Sequence, residues 1–228
     1  MLTDGPTQVG GELSVYTKFC TPSVAPALHG LQIYLKPQLL STSASGRGGA
    51  LSIDRFLLNA RNTLRQKSDA VLSSFIDLYG LDTDFHAFKE SQKLADVHQR
   101  VALLEQALHR AVVAHVGCRP DRFLPHIQPY EYEGLLFSDV DALAATEPTW
   151  GRALGALWKV RESFDSPEHI NDGYETKPSK RLENLLHPRY KKTTHGPRAA
   201  ARISLETMER ECAHLQGWMS RLRGLAQP

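Results

Sequence analysis

Cysteine is scarce, and no long apolar run occurs anywhere in the 228 residues. Cys20, Cys118 and Cys212 are far apart, odd in number and form no CxxC pair. That spacing favours a reducing compartment and buried thiols over a disulfide framework or a cysteine-built zinc site. No hydrophobic stretch approaches the length of a bilayer span, and no basic region followed by an apolar segment opens the chain. A cytoplasmic protein with no membrane association is therefore expected. The ten histidines make neither an HExxH motif nor any paired metal spacing. A nucleophile elbow, a Walker loop and a Rossmann glycine fingerprint are also missing.

What is present is ordinary in amount and uneven in placement. Hydrophobic residues at 41% and charged residues at 23% suit a soluble globular chain with one sizeable core, or a core with a smaller appended unit. Residues 151–228 carry 14 Lys+Arg against 9 Asp+Glu, leaving 13 basic and 16 acidic residues for the rest. An acidic N-terminal part beside a basic C-terminal part matches a metal site next to a phosphate-binding surface. A modest imbalance of this kind is also found on ordinary surfaces.

Periodicity orders the elements. A short helix is predicted in "PSVAPALHG", and "LQIYLKPQLL" reads as a strand with Leu31, Ile33 and Leu35 alternating. "STSASGRGG" is a loop by composition. Ser52 is a good N-cap for a helix whose apolar stripe is Ile53, Phe56, Leu57, Ala60 and Leu64. "VLSSFID" is a strand covered on both faces. Val97, Val101, Leu104, Leu108 and Val112 mark a second helix closed by Gly117. Residues 122–128 are a further predicted strand. The alternation indicates an α/β unit with a mostly parallel sheet flanked by helices, over residues 1–146. Strand signals stop after residue 146, and residues 147–228 are expected to be a basic helical extension packed on that core. Within it, Leu205, Met208, Cys212, Leu215, Met219 and Leu222 describe an amphipathic helix.

Three groups of residues could carry chemistry. Asp77 ends a predicted strand, just before Tyr79-Gly80 turns the chain. Open α/β sheets bind ligands beyond the carboxyl ends of their strands, so a catalytic or metal-binding carboxylate is expected there; a side-chain turn cap is the alternative. Glu131 and Glu133 stand two positions apart. If the strand before them continues, both project from one face and invite a hard cation such as magnesium; in a helix they diverge. Lys180, Arg181, Arg189, Lys191 and Lys192, with Tyr190 among them, could hold nucleic-acid phosphates while Tyr190 stacks, or could simply be a solvated face. His126 reads as a core histidine, and His195 as a weak catalytic candidate.

"FIDLYGLDTDF", "HIQPYEYEGLLFSD", "INDGYETKPSKR" and "HPRYKKTTHG", followed by "CAHLQGWMSRL", resemble the successive signatures of domain-of-unknown-function family 4276, from about residue 20 to residue 222. That family is placed among Toprim-like proteins. The resemblance implies a Toprim-like core, metal-dependent nuclease chemistry with Mg2+ or Mn2+, a nucleic-acid substrate, and an SMC- or ABC-like ATPase partner in prokaryotic defence. It assigns catalysis and metal binding to Asp77, Glu131 and Glu133. It gives nucleic-acid contact to the basic cluster of Lys180, Arg181, Lys191 and Lys192. Tyr79 stands where the wider Toprim pattern has a second acid. The first metal-binding acid is Asp4, in "TDGPTQ", or Glu12.

Overall fold

A computed structural model describes residues 8–12, 23–38, 50–171 and 173–226. Asp4, Cys20 and the loop expected at 41–49 lie outside them. The chain divides into two compact units, residues 1–127 with 220–228 and residues 128–219. The break thus falls ahead of residue 146, where the strand signals end.

The first unit is built on a four-stranded parallel sheet. β1 (Gln8–Glu12), unmarked by any sequence period, is followed by α1 (Ala25–His29) and β2 (Tyr34–Gln38). Ile33 is buried before β2, whereas Leu31 is 42% exposed, so the expected alternation starts later than Leu31. α2 (Ile53–Gln66) buries Ile53, Phe56, Leu57, Ala60 and Leu64, the whole predicted stripe. Fourteen residues make a marginal helix in isolation, so this burial, worth about 1.5–3 kcal/mol per large side chain, holds it. Ser52 occupies the N-cap position without a side-chain bond; Asp84 instead accepts from the Ile53 amide at 3.1 Å. β3 (Val71–Ser74) is buried throughout, and its serines are satisfied across the sheet, Ser73 Oγ donating to Leu124 O at 2.8 Å. β4 (Ile76–Asp77) follows after a break at Phe75.

α3 (Phe88–Ser91) leads to α4 (Val97–Val116), whose predicted face is buried and which Gly117 ends at φ +69°. Glycine, with no Cβ, takes that left-handed angle at no steric cost. Asp96 caps the other end, accepting from Gln99 N at 2.8 Å. Residues 122–128 split into β5 (Phe123–Leu124) and β6 (Ile127–Gln128), because Pro125 between them has no amide to give a ladder. Arg122 donates to the carbonyls of Leu64 and Ala70, both at 3.1 Å, tying the end of α2 to the start of β3. The strand order is β2-β1-β3-β5.

Among the described residues the second unit is helical: α5 (Val140–Ala144), α6 (Leu154–Glu162), α7 (Pro178–Leu185), α8 (Lys192–Ile203), α9 (Leu205–Glu211) and α10 (Ala213–Gly224), whose last turn groups with the first unit. Tyr132, Leu135, Phe137 and Trp150 are fully buried. The helix expected from Ser204 is two helices. Its apolar stripe is buried as predicted, but the chain breaks at Cys212, and Glu168 accepts from His214 N at 3.0 Å and Leu215 N at 3.1 Å to start α10. No helix of the described residues is long and apolar enough to cross a membrane.

Candidate functional site

In the first unit the sheet order creates a switch point. β1 lies between β2 and β3, both parallel to it, so the chain moves to one side from β1 to β2 and then crosses back past β1 to reach β3 on the other. Glu12, the last residue of β1, is in register with Ser74, the last residue of β3. Asp77 comes three positions later, buried at 8% exposure, in extended backbone before a 3-10 turn at Leu78–Gly80. Asp77 makes no side-chain cap to that turn, so the alternative role as a turn cap is not realised. Tyr79, where a second acid would stand, is 43% exposed.

Glu131 and Glu133 belong to the second unit and are not on a strand. β6 ends at Gln128; Glu131 is extended, and Glu133 lies in the first turn of a 3-10 helix, Tyr132–Ser138. Both are buried, Glu133 completely. Each carboxylate is met by a lysine. Lys177 Nζ donates to Glu131 Oε1 at 2.8 Å, and Ser179 N, in the first turn of α7, donates to Oε2 at 3.0 Å. Lys192 Nζ stands 3.0 Å from Glu133 Oε2, while Tyr190 Oη donates to Oε1 at 3.2 Å. Burial alone would raise the Glu131 carboxyl. Lys177, Ser179 and Lys192 outweigh it and hold the group below its ordinary value, so it is ionised. Burial and the Glu133 charge push the Tyr190 phenol well above its usual value, keeping it a donor. Lys177 is a member of this cluster that sequence reasoning missed; its place in "ETKPSKR", just ahead of α7, was the available signal.

The basic residues are used unevenly. Lys192 is committed to Glu133; Lys180 Nζ reaches Glu183 at 3.4 Å, and Arg189 pairs with the same carboxylate at 2.6 Å. Arg181 donates to Thr176 O and lies 5.3 Å over Phe164. Lys191 is exposed. Tyr190, expected to stack on bases, is 3% exposed and cannot. It is drawn inward by its bond to Glu133 and by Gly196, where a Cβ would come within 2.9 Å of the phenol oxygen.

His195 accepts from Lys191 N at 2.8 Å through Nδ1, faces Glu147 Oε1 at 3.5 Å through Nε2, and meets Trp150 edge-on at 4.8 Å. Arg198 pairs with the same glutamate. The imidazole is thus built into the core. His126 is fully buried as expected, with Nδ1 3.9 Å from Glu105 Oε1 in the first unit. Glu105 was not anticipated: it sits on the buried face of α4 and accepts from Ile127 N at 2.8 Å. An open groove of about 570 Å³ in the second unit, lined by Arg152, Ala156, Leu185 and His187 among others, includes none of the candidate residues.

Comparison with known families matches residues 16–223 to the model described as Domain of unknown function (DUF4276). No curated protein and no solved structure matches the chain.

Proposed function

From the premise that this chain belongs to the DUF4276 family, we propose that it is a Toprim-like, metal-dependent nuclease. It would act with an SMC- or ABC-like ATPase partner in cytoplasmic anti-phage defence. One observation supports this above the others: Glu12 ends β1 at the switch point of the sheet, in register with the end of β3, and Asp77 follows three residues beyond that end, closing β4. That is where open α/β sheets bind their ligands, and carboxylate oxygens are the donors magnesium prefers. Asp77 and Glu12 would hold the ion. Glu131 and Glu133 are the second unit's candidate ligands, with the right donor chemistry, but each would exchange its lysine for the cation. A bound magnesium or manganese ion would supply an activated water and stabilise charge on the scissile phosphate. Lys180, Arg181, Lys191 and Lys192 would contact phosphates and position the strand.

The test is incubation of the purified chain, with its ATPase partner and magnesium or manganese, on single- and double-stranded DNA and RNA. Cleavage is expected, and Asp77→Asn or Glu12→Gln should reduce it to background while circular dichroism stays native. Failure to cut any of these substrates sinks the proposal.

The lysine-paired glutamates and the tyrosine at position 79 favour a second reading, a catalytically degenerate subunit that binds nucleic acid or regulates the ATPase. Melting separates the two. A magnesium-dependent rise in Tm that Asp77→Asn abolishes fits the nuclease, and an indifferent Tm fits the degenerate subunit.

A further inference from the structure

The aromatic that the basic segment offers to solvent is Tyr174. At 69% exposure it is the most exposed large apolar residue among those described. A ring left in water forgoes the stabilisation that burial brings, yet this one is held in a defined position. Gly173 adopts φ +132°, a conformation other residues rarely take. The Thr176 amide and hydroxyl both donate to its carbonyl, at 3.2 and 3.3 Å. Arg181 then donates to the Thr176 carbonyl, fixing the end of the turn to α7. Lys177 completes the arrangement: its ammonium lies 4.8 Å from the Tyr174 ring centroid and is itself anchored by the buried Glu131.

We propose that Tyr174 and Lys177 form a stacking platform for an unpaired base, and that the ligand of this surface is single-stranded nucleic acid. The inference deepens the nuclease reading by naming its substrate class. An exposed ring accepts the π-face of any base, whereas a duplex hides those faces within its own stack. Lys177 lies over one face of the ring with its charge matched by Glu131, so the base takes the opposite face, and Arg181 in α7, whose Nε is held by the Thr176 carbonyl, supplies positive charge for a flanking phosphate. Glu175, the next residue, repels a phosphate laid directly there, which leaves the ring itself as the contact for a base.

The experiment is a fluorescence-anisotropy titration, in EDTA, of labelled single-stranded oligonucleotides and of a duplex of the same sequence. Single strands are expected to bind more tightly than the duplex. Tyr174→Ala should weaken single-strand binding at least roughly 5-fold, with Tyr174→Phe equal to the wild type. Duplex binding should be unaffected by either substitution. Both variants change an exposed ring, and unchanged melting confirms that they are folded. Wild-type binding by Tyr174→Ala, a preference for duplex, or no single-strand binding overturns the inference. Single-strand binding that depends on Tyr174 without any cleavage leaves this inference standing and removes the nuclease reading. Cleavage with binding indifferent to Tyr174 does the reverse.

Discussion

Glu133 is the residue whose surroundings matter most to stability. A fully buried carboxylate is tolerable only while its charge is matched, and Lys192 and Tyr190 do this from two sides. Lys192→Met should therefore cost about 3 kcal/mol by stranding the carboxylate. The double variant Lys192→Met with Glu133→Gln should recover most of that loss, because it removes the charge together with its partner. Urea denaturation followed by tryptophan fluorescence reads this directly, since Trp150, Trp158 and Trp218 all lie in the second unit. At this scale the sequence was legible in residue type and illegible in partnership. The spacing of Glu131 and Glu133 singled both out, but nothing local announces that lysines 46 and 59 positions away will neutralise them. Tyr190 misled for the same reason: within a run of lysines and arginines a tyrosine reads as a surface ring, and only the tertiary carboxylate explains why it turns inward.

At the scale of elements, periodicity located helices well and ends poorly. The stripes of α2 and α4 were read residue for residue, because a 3.6-residue apolar repeat states which face is buried. β1 was missed: "QVGGE" has one branched apolar residue and two glycines, and it becomes a strand only by pairing with β2 and β3. Caps escaped notice where the capping group is distant in sequence, as Asp84 is from α2. Glu168 is the sharpest case. Its carboxylate satisfies two amides at the start of α10 and divides what periodicity presents as one helix. Glu168→Ala should destabilise the second unit by about 2 kcal/mol, and Glu168→Gln by roughly half as much, since the amide oxygen can still accept. The same fluorescence-monitored urea titration measures both.

For the molecule as a whole, stability acquires a pH dependence through His195. Burial holds this imidazole below its ordinary value of 6.5. As pH falls through 6.5 the unfolded chain takes up a proton that the folded chain resists, so this residue's effect is to lower stability with acidity down to the folded value and not below it. His195→Asn, whose side-chain oxygen can still accept from Lys191 N, should flatten the fall in urea midpoint between pH 7.5 and pH 5 relative to wild type. The overall plan, an α/β unit with parallel strands and a helical C-terminal part, was readable because βαβ alternation needs only local signals. Where one compact unit gives way to the next was not readable, since that depends on which segments pack together over long separations.

Glu131 has a consequence that reaches past its own pair. One of its oxygens tethers an ammonium and the other seals the opening turn of α7, so a single carboxylate latches two structures together. Anything that recruits this group, whether a cation or a competing hydrogen-bond donor, unfastens both. Occupancy at one acid would thereby be felt along the stretch that presents Lys180 and Arg181, with no hinge and no domain movement needed to carry the message.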